Sequence, residues 1–166
     1  MKTIAKVLLA LVCASAVAAP AMAQEKKSSI SAFGNYSKFG KDKDASGTVN
    51  VTYGYLLSPK LEVGVGVTEI FGASSMTGVG GSAQYYLNPV GAPKQVNPYG
   101  KVDAFVLDGS NFTATQVGFY AGVAYAATES TEFFVEAGAQ NKSSKFSTIT
   151  TTDDGTIIQF GLKLRF

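Results

Sequence analysis

Ile157-Ile158-Gln159-Phe160-Gly161-Leu162-Lys163-Leu164-Arg165-Phe166 closes the chain, and its reading decides the fold. Ile158, Phe160, Leu162, Leu164 and Phe166 fall on one face of an extended strand, with Gln159, Gly161, Lys163 and Arg165 on the other. Side chains alternate between the faces of a strand, so this period of two describes one strand in two environments. The first face is wholly apolar. The second carries two full charges and would make a poor soluble core. A barrel strand with lipid outside and a polar lumen inside has this pattern. The competing reading is the final edge strand of a soluble sandwich, which the rest of the chain disfavours.

The same alternation recurs upstream. A first strand over 29–39 turns Ile30, Ala32, Gly34 and Tyr36 outward, and Ser31, Phe33, Asn35 and Ser37 inward. A second, from Thr48 to Leu56, shows Val49, Val51, Tyr53 and Tyr55 outside. Further strands start at Leu61, Gly78 and Tyr99, and others follow over Val117–Tyr125 and Phe133–Gln140. Ser58-Pro59-Lys60 and Thr128–Thr131 read as turns. Asn88–Pro98, with three prolines, reads as a long connection, and the Ser/Thr/Lys-rich Asn141–Gly155 as the longest loop. Eight strands of roughly ten residues suit a tilted bilayer crossing. The expected class is all-β: an eight-stranded antiparallel up-and-down transmembrane β-barrel. Its even strand count puts both ends on one side.

That direction rule places Tyr55, Tyr85, Tyr125, Phe133 and Phe166 at one rim in the outward phase, as an aromatic girdle at a membrane interface requires. It also turns Glu62, Lys101, Asp103, Glu136, Lys163 and Arg165 inward, in the half of the barrel nearest the termini. Charges facing one another in a narrow lumen must pair to offset desolvation. Glu136, on the strand beside Lys163 and Arg165, is expected to pair with at least one of them.

At the other end of the chain, Met1-Lys2-Thr3-Ile4-Ala5-Lys6 is basic, Val7–Ala19 is apolar, and Ala21-Met22-Ala23 is a small-x-small cleavage site. Residues 1–23 therefore read as a secretory signal peptide and 24–166 as the barrel domain. The apolar run is short of the about 20 residues a transmembrane helix needs. Lipid modification of Cys13 would cut that run shorter still, and Val12 suits it poorly. Cys13 is the only cysteine, so the chain beyond the leader forms no disulfide. The chain has 14 basic and 12 acidic residues. Loss of Lys2 and Lys6 balances them, and no basic excess points to nucleic acid.

With no histidine, Ser-His triads and His-ligated metals are excluded. Glu136 with Asp103 or Glu62 could form a catalytic carboxylate pair, but a lumen salt-bridge network is favoured. Asp42, Asp44, Asp153 and Asp154 match no ordered calcium loop and read as solvated turn residues. The Gly-rich runs at Val63–Val67 and Gly78–Gly81 lack the Lys-Ser/Thr and the helix of a phosphate loop. Inward glycine fits better, because an eight-stranded bore is only just wide enough for side chains. Neither catalysis, a cofactor nor a metal is expected.

The chain resembles the small OmpA/OmpX-type outer-membrane barrels of Gram-negative bacteria. Signal, alternating strands, short turns on one side and terminal Phe166 carry the resemblance over essentially its whole length. Gln159, Gly161, Leu164 and Phe166 are similar to the family's C-terminal signal, which implies recognition by the barrel-assembly machinery. Members act as structural envelope proteins, adhesins or narrow pores. The resemblance therefore implies a porin-family neighbour residing monomerically in the lipid of the cell outer membrane. No wall-binding domain follows Phe166, and the external loops read as short, which weakens an adhesin role. The favoured function is a structural or surface-interaction barrel with its lumen filled by side chains and a surface ligand left open. The alternative is a narrow channel for ions or small solutes, allowed by inward Gly54, Gly64, Gly66, Gly78, Gly80, Gly118, Gly122 and Gly138.

Overall fold

The structure is a computed structural model describing residues 27–37, 46–72, 75–91, 93–109, 112–146 and 149–166. The leader and its cleavage site, and the turn residues Asp42 and Asp44, lie outside the described residues, as does the side chain of Asp153. Eight strands follow in order: β1 (Ser28–Ser37), β2 (Ser46–Ser58), β3 (Leu61–Phe71), β4 (Met76–Tyr86), β5 (Val96–Gly109), β6 (Thr113–Ala126), β7 (Thr131–Phe146) and β8 (Ile149–Arg165). Each pairs antiparallel with its chain neighbours, and β1 pairs with β8, so the sheet closes on itself. Closure leaves no unpaired edge, the condition for a sheet to sit in lipid. The ends are stitched directly: Ser28 N–H donates to Phe166 O at 3.1 Å and Phe166 N–H to Ser28 O at 2.9 Å.

Alternation decides which side chain faces where. Val65, Val79, Phe119, Ile158 and Phe160 are each more than 60% exposed, although they are among the most apolar residues of their strands. Their inward neighbours, among them Glu62, Gln84, Lys101 and Gln159, are buried. A water-soluble protein has the reverse arrangement. The inward phase of β1 is that of Ser31, Phe33 and Asn35, all buried.

Followed pair by pair from Phe33, the ladder runs through Asn50, Thr68, Gly78, Leu107, Ala114 and Ser144 to the backbone of Thr151. Phe33 itself pairs with Gly161, farther along β8. This stagger is the shear of the barrel, and closing with it tilts the strands by roughly 40°. Residues far apart in ladder register therefore share one height in the lumen.

Two connections differ from the sequence reading. β5 begins at Val96, so the segment after β4 is shorter than Asn88–Pro98. It folds back over the rim: Val90 N–H donates to Pro59 O at 2.8 Å, and Val90 packs against Tyr86, Tyr99 and Ala124. Most of the expected loop Asn141–Gly155 is strand, with β7 and β8 paired up to Phe146 and Ile149. The outward face there is polar, and Asn141 Nδ2 donates to Asp154 Oδ1 at 2.6 Å. Thr150, Thr151, Thr152 and Thr156 are β-branched and suit a pleated surface. The backbone keeps its ladder after the apolar pattern stops.

Candidate functional site in the barrel lumen

Nearest the termini, four charges from three strands converge on one tyrosine. β8 supplies Lys163 and Arg165 at successive inward positions, β3 supplies Glu62 and β7 supplies Glu132; all four are buried. Lys163 Nζ lies 2.7 Å from Glu62 Oε1, and Arg165 Nη1 lies 2.9 Å from Glu62 Oε2. Arg165 grips Glu132 with two donors, Nε to Oε1 at 2.6 Å and Nη2 to Oε2 at 3.2 Å. This two-point geometry is the strong, directional form of an Arg–carboxylate pair. Tyr86, on β4 and fully buried, accepts from Lys163 Nζ and Arg165 Nη2, each at 2.8 Å, and donates to Glu62 Oε2 at 3.4 Å. Ser29 Oγ donates to Glu62 Oε1 at 3.1 Å, and Lys163 also donates to Gln84 Oε1 at 3.2 Å.

A second group lies around Lys101 on β5. Its Nζ pairs with Glu136 of β7 and stands 4.0 Å from Asp103 Oδ2. The same ammonium sits 4.3 Å from the Phe33 ring centroid and 4.5 Å from that of Tyr120, within cation–π range. Tyr99 OH donates to Glu136 Oε2 at 2.8 Å, Tyr120 OH to Asp103 Oδ1 at 3.4 Å, and Gln140 Nε2 to Tyr120 OH at 2.6 Å. Phe33 meets Phe134 edge-on, with centroids 5.8 Å apart.

Glu136 therefore joins Lys101, and the expected pairing with Lys163 or Arg165 is not found. Adjacent strands alone suggested it. In the β7–β8 ladder Glu136 faces Gln159, while Glu132 faces Lys163. The tilt brings β5 level with Glu136 and β3 level with the end of β8. Of the six predicted charges, Glu62, Lys163 and Arg165 fall in the first group and Lys101, Asp103 and Glu136 in the second. Glu132 escapes the sequence reading because that reading runs the turn to Thr131 and starts the strand at Phe133, whereas β7 begins at Thr131. One more step of the inward phase of Phe134 and Glu136 reaches it. Alternation along β4 turns Tyr86 inward with Gln84, but does not mark its hydroxyl as the shared partner. A buried phenol needs a hydrogen-bond partner, and that was the available signal.

Away from the termini the lumen changes character. Met76, Phe105, Leu107 and Ala114 form a buried apolar cluster, with Ile70 and Phe112 packed against it. The inward glycines lie against large neighbours. A Cβ on Gly54 would stand 2.5 Å from Glu62 Oε1, one on Gly122 2.6 Å from Tyr99 Cζ, and one on Gly80 2.6 Å from the Phe105 ring. On Gly78 it would collide with Leu107, and on Gly118 and Gly138 with Tyr120. Those on Gly64 and Gly66 would meet Thr52.

The remaining predicted residues divide by face. Gln159 and Gly161 of the C-terminal signal point inward, and a Cβ on Gly161 would stand 2.5 Å from Phe33 Cβ. Leu164 is exposed, and Phe166 forms the backbone stitch to Ser28. In the proposed girdle Tyr85, Tyr125 and Phe133 are exposed, Tyr55 and Phe166 are partly exposed, and Tyr125 faces Phe133 across the ladder. Among the described residues no cluster of His, Cys, Asp and Glu is arranged to hold a metal ion.

The family model described as outer membrane protein beta-barrel domain matches residues 9–166. Among solved structures, the chain is similar to the N-terminal β-barrel domain of Pseudomonas aeruginosa OprF, with 17% identity and a TM-score of 0.60 over 86% of this chain and 98% of that one. It is also similar to Neisserial surface protein A, with 19% identity and a TM-score of 0.59 over 84% of this chain and 95% of that one. At these identities the likeness concerns the fold. No curated protein matches by sequence.

Proposed function

Because the chain belongs to the outer-membrane β-barrel family, we propose that it is an integral envelope protein of structural or surface-interaction role, its lumen filled by side chains. The reading rests on one observation: Tyr86 and its ring of Glu62, Glu132, Lys163 and Arg165 tie β3, β4, β7 and β8 together across the bore. An open pore would leave these groups to water. The narrow-channel alternative relied on inward glycines, yet the space beside them is taken by Glu62, Tyr99, Phe105, Leu107 and Tyr120. The polar β7–β8 hairpin beyond the apolar belt supplies a surface for an external ligand.

In planar bilayers the refolded full chain is expected to show no discrete conductance steps. Regular steps that vanish when the lumen is blocked would replace this reading with the channel. Residues 1–23 act as a cleaved export signal, 24–166 form a monomeric barrel, and the role is non-catalytic without cofactor. Gln159, Gly161, Leu164 and Phe166 present the last strand to the assembly machinery. Phe166→Ala should leave export intact and lower the amount of heat-modifiable barrel in the outer membrane. Wild-type levels there would make the C-terminal match accidental.

A further inference from the structure

The connection between β4 and β5 is longer than its place requires. The other two connections on the termini side, 59–60 and 127–130, keep to the about two to five residues that join a hairpin, whereas this one takes 87–95. Its base is fixed. Leu87 N–H donates to Pro98 O at 2.9 Å. Buried Asn97 clasps Asn88, its Oδ1 accepting from the Asn88 N–H at 3.1 Å and its Nδ2 donating to the Asn88 O at 2.8 Å. Past Asn88 the hold is lighter. Val90 N–H reaches Pro59 O at 2.8 Å on one flank, and Lys94 N–H reaches Ala126 O at 2.6 Å on the other. Val90 turns in, onto the cluster of Tyr86, Tyr99 and Ala124, while Leu87, Asn88, Pro89, Gly91, Pro93 and Lys94 are exposed.

Tyr86 is also the hub of the charge ring, so Val90 stands between that ring and the space outside the mouth. The seat is imperfect. A cavity of about 10 Å³ remains beneath it, with Val90, Gly91, Asn97, Ala124 and Glu132 in its lining. Gly91 and Lys94 hold φ at 126° and 59°, and Lys94 is the one non-glycine residue with positive φ among the described residues. Such a conformation persists only while its surroundings hold it. A segment with few buried apolar contacts and solvent-exposed backbone hydrogen bonds opens at a lower free energy than the sheet beside it. We propose that residues 87–91 and 93–95 form a lid over the termini-side mouth, with Val90 as its stopper on Tyr86. The lid opens while the barrel stays folded, and its opening admits solvent to Glu62, Glu132, Lys163 and Arg165. The proposal rests on the filled-lumen reading, because an open bore would wet that ring whether the lid stood open or shut.

Thiol labelling of the full chain, refolded in micelles, tests it. Cys13 is the chain's only cysteine, so Cys13→Ser leaves an introduced thiol as the sole target. Ala124→Cys, beneath Val90, should react with a charged maleimide at least about tenfold more slowly than Asn88→Cys on the outer face of the lid, at a rate that urea below the unfolding transition leaves unchanged. Adding Val90→Asp should raise that rate to the one at residue 88. Equal rates without Val90→Asp mean an uncovered mouth, and a rate at residue 124 that climbs steeply with urea means that the segment opens only with the barrel. Either result overturns the lid, as does a Val90→Asp variant that labels no faster. Hydrogen exchange of the unsubstituted chain asks the same question without a cysteine in the lumen. The Val90 and Lys94 amides should exchange faster than the β4–β5 ladder amides and independently of urea, and protection equal to the ladder's overturns the lid. Discrete conductance steps in planar bilayers overturn the filled lumen instead, whereas failure of the lid without such steps leaves that reading standing.

Discussion

Near the termini the lumen carries Glu62, Glu132, Lys163 and Arg165 around Tyr86, whereas its far end carries Met76, Phe105, Leu107 and Ala114. Both groups are buried, and both occupy the same small bore. They differ in what they demand of the backbone. Ion pairs work only when donor and acceptor meet at a fixed distance and direction, so the first group ties four strands drawn from opposite walls. The apolar cluster has no direction, and it draws its buried members from β4, β5 and β6, which are already neighbours in the sheet. The charged end thus selects which walls face each other, while the apolar end fills volume.

Removing a single charge should do the most damage. Glu62→Gln leaves Lys163 and Arg165 to share Glu132 and the Tyr86 hydroxyl, and an uncompensated buried charge costs about 3–5 kcal/mol. Urea unfolding in one detergent, followed by the heat-modifiable gel shift, reads that loss directly. A loss under about 1 kcal/mol would mean that water screens the group, as at a surface ion pair, and the contrast between the two ends would disappear. Leu107→Ala comes next. Leu107 is fully buried against Met76 and Phe105, and a deletion of that size costs about 3 kcal/mol in a packed core. If the same assay shows almost no change, the far end is loosely filled and the comparison is one of dense against sparse.

What was legible in the sequence follows the same division. Lipid requires an apolar residue at every outward position, so Val63, Val65 and Val67, or Phe160, Leu162 and Leu164, announce both strand and face. The fold class and the inward set could be read from that requirement. Where the belt ends, the requirement ends, and Asn141, Ser143 and Lys145 looked like loop although their backbone pairs with Asp154, Thr152 and Thr150. Hydrogen-bond ladders do not depend on side-chain polarity, and the threonine run was the signal left. Charge partners were harder. Alternation says that Glu136 and Lys101 point inward, but not that they share a height. That depends on the stagger around the closed ring, which belongs to all eight strands together.

The seam between β1 and β8 bears on how the molecule comes into being. Ser29 faces Arg165, so the contact that closes the ring joins the first described strand to the last residues of the chain. The hydrogen bond from Lys163 to Glu62 spans a sequence separation of 101. Local hairpins can zip as each strand follows the one before, but pairing across so long a separation is slow, because loop closure comes before any reward. Until β8 arrives, β1 and β7 each expose an unpaired edge, and Glu62 and Glu132 have no cations from β8. The last strand therefore delivers edge closure and charge neutralisation in one kinetic event, and a chain stalled before Lys163 would have neither.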